Sequence, residues 1–373
     1  MSHVLTAVFG LSCFLSVADC HQISSCQHTC NCSTTASQQT SVYFVTCVMS
    51  SWCLPLPVDV ITNSKSVRLT GTGIPVVGGW TCESAWSHLQ VLELDLSWNN
   101  ISDVLSWLHI AISLHNLSVA GNNLHHVTAA TFARLVRLRT LDVSNNDVVD
   151  LDVGCFRHLK RLRLLNLMNN SISHLPRGVF DGLSSLVELT LDGNRLVSLG
   201  HGVLAPLRQL AVLSASRNKI QLVDVRWFDG GPSTSLRHFD LSWNLLDDLF
   251  AAVTPGLDVL DRLHSLTLDG NPTRQLRAAG GRGGLSVHQL SVSHMPTLIS
   301  VDRRALSRFS QLTTLTMTDN RRLRYIDDQA LPAGTTLNVL CLHNNNLTSG
   351  KFNLFSLALL NRVDQKNWTV FQS

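Results

Sequence analysis

The sequence predicts a β-rich α/β solenoid on three grounds: one nine-residue pattern recurs eleven times, its spacing is nearly constant, and apolar residues alternate inside it. The pattern is LxxLxLxxN, plainest in Leu138-Arg-Thr-Leu-Asp-Val-Ser-Asn-Asn146 and Leu186-Val-Glu-Leu-Thr-Leu-Asp-Gly-Asn194. Its copies close at Asn99, Asn122, Asn146, Asn170, Asn194, Asn218, Asn244, Asn271, Met295, Asn320 and Asn345. Successive differences are 23, 24, 24, 24, 24, 26, 27, 24, 25 and 25. A composition that is 45% hydrophobic does not produce so tight a period, which is the mark of a stacked repeat.

Each element follows from the spacing. Apolar residues at the fourth and sixth positions, such as Leu141 and Val143, alternate with polar ones, so a short strand buries one face and shows the other. Parallel strands from successive copies then form one sheet, with positions two, three, five, seven and eight facing outward. The closing Asn sits where the chain turns inward, and its amide can serve backbone groups that no strand partner reaches. Two residues further on stands an apolar side chain (Leu124, Val148, Ile172, Leu196, Ile220). Ten residues past the Asn stands a bulky one (Phe132, Phe156, Phe180, Leu204, Phe228), and these fill the space between the sheet and the return segment. A lone repeat cannot bury its apolar edge, so stability sums over neighbour interfaces and both ends need caps.

At the amino terminus Val4 to Val17 is an apolar run, followed by Ser16-Val17-Ala18 as small residues before a cleavage site. Residues 1–18 are expected to be a signal peptide, although His3 stands where Lys or Arg is usual. The run is short for a bilayer, and Asp19 follows at once. Of ten Cys, Cys13 would leave with the leader, and six crowd together as Cys26-x3-Cys30-x-Cys32-x14-Cys47-x5-Cys53, then Cys82. His21 and His28 lie among them, so a zinc site stands beside disulfides, which a secreted chain favours. Cys155 falls in a slot filled elsewhere by small residues. Cys341 falls at the exposed fifth position of its copy, and Cys20 just after the expected cleavage point. Each unpaired thiol is either an accident of position or the site of an intermolecular disulfide.

The predicted organisation is therefore a leader at 1–18, a cysteine-rich cap and irregular first repeat at 19–88, repeats at 89–350 and an irregular tail at 351–373. In that tail the next strand should open near position 361 but reads Asn361-Arg-Val-Asp-Gln-Lys-Asn-Trp368, and no Cys follows Cys341. The sheet is expected to end with the copy at Leu340 and Leu342, and the tail after about Leu360 to be poorly ordered. An uncapped end of this kind would suit a truncated or alternatively spliced product and leave an edge open to self-association.

Acceptors of the form N-x-S/T stand at Asn31, Asn100, Asn116, Asn169, Asn346 and Asn367, consistent with a glycoprotein. A glycan on Asn116, at a third position, would project from the strand face. No HExxH, GxSxG or GxxxxGK[ST] is present, the chain has three Glu (Glu83, Glu93, Glu188), and its 16 His lack ligand spacing. No enzyme, cofactor or metal is expected. A net charge of +3 does not argue for nucleic acid, and none is expected as a partner. The basic, glycine-rich stretch from Arg274 to Gly284 reads as a solvated return segment, with an anion-contacting loop as the other reading.

The outward strand face is the candidate for recognition. Trp98 and Trp243 occupy the eighth position of the first and seventh copies, both within Asp-Leu-Ser-Trp-Asn. Exposed Trp is a frequent interface anchor, so Trp243 with His238, Asp240 and Arg217 makes a candidate contact patch, with Trp98 a second anchor. Each Trp can instead pack along the strand ends against its neighbouring copy.

Over roughly residues 26 to 350, the LxxLxLxxN copies behind a cysteine-rich flank resemble the extracellular leucine-rich-repeat family. That resemblance implies a horseshoe with a parallel concave sheet of about eleven repeats plus an amino-terminal cap. It also implies the disulfides Cys26–Cys32 and Cys30–Cys47, leaving Cys53–Cys82 as a third pair that departs from the commonest family pattern. The function it implies is protein binding in cell-surface recognition or adhesion by a secreted or extracellular module, with a protein ligand or cell-surface receptor as partner. Ectodomains of Toll-like pattern receptors, or soluble decoys of them, carry the same features, as do matrix and carrier proteins.

Overall fold

The computed structural model describes residues 2–5, 30–35, 43–47, 66–68, 92–102, 112–228, 235–257, 260–278, 284–332, 335 and 337–347. Expectations that rest on Cys13, Cys20, Cys26, Cys53, Cys82, Asn367, most of the leader and the tail at 351–373 lie outside them. The chain divides into two compact units, Met1–Leu186 and Val187–Ser373.

In the first unit the parallel strands Ser66–Arg68, Glu93–Asp95, Asn116–Ser118, Thr140–Asp142 and Leu164–Asn166 lie side by side in chain order. In the second, Glu188–Thr190, Val212–Ser214, His238–Asp240, Ser265–Thr267, Gln289–Ser291, Thr314–Thr316 and Val339–Cys341 do the same. Every one of the eleven copies thus supplies a strand, and each unit is a parallel-strand solenoid. Pairing runs without slip: Leu213 faces Phe239, Phe239 faces Leu266, and Leu266 faces Leu290. Equivalent positions therefore stack into columns, and the apolar ones form the core. Leu141, Leu165, Leu189, Leu213 and Leu266 are all fully buried.

The closing Asn is the second column. Asn170 donates to the carbonyl oxygens of Val143 and Leu167 at 3.0 and 3.1 Å, while its Oδ1 accepts from Val148 N–H at 3.0 Å. Asn146, Asn218, Asn244 and Asn271 repeat this three-way link, each joining its own copy to the one before it. Buried backbone groups at the turn are thereby satisfied by one side chain per repeat.

Behind the sheet the bulky residues stack as expected. Phe132, Phe156 and Phe180 follow one another at centroid distances of 6.3 and 6.4 Å, nearly parallel, and all are buried. Leu204 and Phe228 hold the same slot in the second unit. The copy between Asn244 and Asn271 is longer, and there the return segment forms an α-helix, Leu249–Leu257. Asp248 stands just before it and accepts Ala252 N–H at 2.8 Å, and the helix buries Phe250 and Val253. Phe250 meets Phe309 at 5.3 Å.

Nearer the amino terminus Cys30–Thr35 and Tyr43–Cys47 form an antiparallel pair in which Cys30 is the register partner of Cys47 and Cys32 of Val45. Ser2–Leu5 pairs with both strands. Among the described residues no helix is long and apolar enough to cross a membrane.

Candidate strand-face recognition site

Position eight of each copy turns the chain out of the strand, and in all eleven copies it adopts the left-handed backbone conformation. The residues are Trp98, Gly121, Asn145, Asn169, Gly193, Arg217, Trp243, Gly270, His294, Asp319 and Asn344, with φ between 52° and 68°. Gly, Asn and Asp tolerate this region, whereas Trp, Arg and His pay strain to occupy it. The return for the two Trp is visible one copy further on. A Cβ built on Gly121 would lie 2.5 Å from the ring of Trp98, and one on Gly270 would lie 2.5 Å from the ring of Trp243. Each indole lies flat on the glycine of its neighbour and still exposes its other face, at 62% for Trp98 and 45% for Trp243. Packing along the strand ends and availability to a partner therefore coexist.

In the second unit the column is continuous. The Arg217 guanidinium sits 5.5 Å above the Trp243 ring, and across Gly270 the indole stacks on His294 at 6.3 Å and 25°. His294 Nε2 lies 3.8 Å from the Asp319 carboxylate, which accepts from Asn344 Nδ2 at 2.9 Å. That hydrogen bond, with His294 and His343 adding, holds the Asp319 carboxyl below the usual carboxylate range. In the first unit Trp98 and Gly121 are followed by Asn145 and Asn169, joined by a 2.9 Å hydrogen bond.

The middle of the second unit's strand face is acidic. Asp240 accepts Ser242 N–H and Oγ–H at 2.8 and 2.5 Å, Asp192 accepts Ser214 Oγ–H and Ser216 N–H, and Asp269 accepts Ser291 Oγ–H and Ser293 N–H. Burial pushes the Asp240 carboxyl up, and the carboxylates of Asp192 and Asp269 add to the push. At the opposite edge His238 meets His264 edge-on at 6.3 Å, and His264 stacks on His288 at 4.7 Å.

Of the residues singled out from the sequence, Arg217 and Trp243 are thus brought together, Asp240 stands mid-face, and His238 belongs to a separate histidine cluster at the other edge. Trp98 lies in the first unit. Position seven corrects one expectation in six copies, where the small residues Ser97, Ala120, Ser144, Ser242, Ser293 and Thr318 are buried as the chain turns inward, while Met168, Asp192, Ser216, Asp269 and His343 are half-buried. Missed were Gly270, His294, Asp319, His264 and His288, whose signal appears only when the copies are aligned column by column.

Cys155 is buried, and its thiol is pushed far up by burial and by Asp152, as befits an inert core side chain. Cys341 is half-buried at the fifth position. Asn100, Asn169 and Asn346 are exposed, while Asn116 is half-buried and donates to Glu93 at 3.0 Å. Among the described residues no group of three or more His, Cys, Asp or Glu is arranged to hold a metal.

A leucine-rich-repeat family model matches residues 112–168, 136–196 and 184–246. None of the curated proteins compared with the chain matches it. Among solved structures, an internalin (InlF) from Listeria monocytogenes is similar at 19% identity and TM-score 0.57, covering 86% of this chain and 85% of that one. Toll from Drosophila, in a complex with Spatzle, is similar at 21% identity and TM-score 0.66, covering 86% of this chain and 42% of that one. TLR13, in a complex with ssRNA13, is similar at 21% identity and TM-score 0.65, covering 80% of this chain and 43% of that one. The chain thus spans under half the length of the Toll and TLR13 chains, and at these identities the likeness is one of fold. Motif, register, closing-Asn column and family model agree, and the chain has the leucine-rich-repeat fold.

Proposed function

We propose that this chain is an extracellular protein-binding module for cell-surface recognition or adhesion, which engages a protein partner through the exposed strand face of its second unit. The observation that carries this reading is the position-eight column. Arg217, Trp243 and His294 present a cation, a half-exposed indole and an imidazole in one row, on backbone strained to hold them there. Aromatic and Arg side chains anchored on both sides are what interfaces use as hot spots. Asp240 and its neighbouring carboxylates would meet basic groups of the partner. Trp98 on Gly121 offers a second anchor.

The supporting parts of the reading are secretion, with cleavage after Ala18, and disulfides in the amino-terminal cap. Opposed residues of an antiparallel pair have Cα atoms about 4.5–5.5 Å apart, inside the range of about 4.4–6.8 Å that a disulfide spans. The register of Cys30 with Cys47 therefore supports that pair, with Cys26–Cys32 and Cys53–Cys82 proposed beside it. Asn100, Asn169 and Asn346 are proposed to carry glycans, their exposure leaving room for the sugar. The second reading is a Toll-like pattern receptor ectodomain or soluble decoy, favoured by the likeness to Toll and TLR13. Toll is seen with Spatzle and TLR13 with an RNA, so a protein and a microbial ligand are both arms of the test.

The experiment is a binding screen of the secreted full chain against cell-surface ectodomains and against microbial ligands. Capture of a surface protein, with Trp243→Ala weakening it by about thirtyfold or more, supports the first reading. Capture of a microbial ligand alone supports the second. An identified partner whose affinity is unchanged by Trp243→Ala, with the fold intact, overturns the assigned patch.

A further inference from the structure

At the edge of the second unit's sheet where the strands begin, a pocket of about 380 Å³ is lined by Arg237, Arg262, His264, His288, Gln311 and Asp261, with Ser286 at its wall. The donors there outnumber the acceptors. Among the described residues neither guanidinium has a carboxylate within salt-bridge distance, and Asp261 is the one acid in the lining. His264 and His288 stack face to face at 4.7 Å and 23°, with His238 edge-on to His264 at 6.3 Å. The charged and titratable groups about the His264 ring are His288, His238 and Arg237, with Arg262 and Asp261 in the same lining, and all but Asp261 are cationic or capable of becoming so.

A metal does not fit this arrangement. Nearly parallel rings do not converge their nitrogens on one point, one nitrogen of His288 is engaged with the Ser286 carbonyl at 2.7 Å, and two guanidiniums repel a cation. An anion fits it. Guanidinium forks match the oxygens of phosphate and sulfate, and Gln311 and the imidazole N–H groups add further donors. We infer that this pocket is a binding site for a tetrahedral oxyanion, phosphate or sulfate, free or as a monoester on a sugar, and that it binds more tightly as the histidines protonate. The site lies at the strand edge away from the position-eight column, so it stands or falls apart from the partner reading. Burial and the neighbouring cations hold the His264 ring below its ordinary value. A bound anion reverses that push, and by linkage the protonated pocket must then hold the anion more tightly.

The test is an NMR titration of the full chain, with histidines labelled at Cε1, using sodium sulfate against sodium chloride at matched ionic strength. Sulfate keeps its charge across the range from pH about 7.5 to about 5.5 in which a histidine switches. The expected result is that sulfate, and not chloride, shifts the His264 and His288 signals and raises the His264 pKa. Its dissociation constant should fall about tenfold for each unit of that rise. Arg262→Ala, at an exposed position, should weaken sulfate binding while leaving the fold intact, and His264→Gln should remove most of the pH dependence. Inorganic phosphate and N-acetylglucosamine 6-sulfate identify the source: tighter binding of the sugar ester assigns a glycan, equal binding the free ion, and either upholds the site. Equal effects of chloride and sulfate, or sulfate binding unchanged by Arg262→Ala, would overturn it.

Discussion

At the scale of single residues, the eighth position decides most. A left-handed turn in every copy selects for Gly, Asn or Asp, yet Trp98 and Trp243 stand there because the next copy offers a glycine to lie on. Gly270→Ala should therefore cost about 1–2 kcal/mol for the backbone alone, and more for the clash with the indole. Removing the indole as well should return the second part. In urea unfolding of Gly270→Ala, Trp243→Ala and the double variant, the double should lose less than the sum of the singles, with a coupling of about 0.5–3 kcal/mol. Strict additivity would show that the ring does not rest there. Asp240 gives a second test with a definite sign. Its carboxyl is pushed up in the fold, so the folded state binds that proton more readily, and stability due to this group falls as pH rises from about 3.8 through the folded value. Asp240→Asn keeps an oxygen for Ser242 and removes the charge, so it should stabilise the chain at neutral pH. That advantage should vanish below about pH 3.8, as read by unfolding midpoints across the range.

At the scale of the repeat, each closing Asn is a staple between two copies. Asn170→Ala leaves the buried Val148 N–H without its acceptor and removes one donor from the Val143 carbonyl, which Asn146 still serves, and should cost about 1–3 kcal/mol in denaturant unfolding. An exposed Asn such as Asn123 should cost little. This column was legible in the sequence, as were the strands and the stacked Phe132, Phe156 and Phe180, because their spacing is the repeat period itself. The helix Leu249–Leu257 was less so. Its only signals were a copy stretched to 27 residues and Asp247-Asp248 ahead of an apolar run. The recognition row was half legible. Trp243 and Arg217 stand out by residue type, but Gly270, His294 and Asp319 gain meaning only from the register that places equal positions of adjacent copies side by side. A repeat read along the chain conceals what it shows across the sheet.

At the scale of the molecule, the balance that governs behaviour in acid is histidine. The chain carries 16 His against a formal net charge of +3, so mild acidification raises its positive charge chiefly through histidine. Among the described residues seven of the histidines are exposed. His264 is different, because burial, then His288, His238 and Arg237, hold its pKa below the ordinary 6.5. As pH falls through about 6.5 the unfolded chain takes up a proton that the folded ring still refuses, so stability declines until the lower, folded pKa is passed, and is level below it. Unfolding midpoints measured between pH about 7.5 and about 5 should therefore fall with acidity. His264→Gln should flatten part of that slope while leaving the midpoint at neutral pH nearly in place. Sulfate should flatten the same part in the parent chain, since an anion in the cluster offsets the repulsion, and should do nothing further in His264→Gln. A parent and variant that decline in parallel would place the acid sensitivity elsewhere among the histidines.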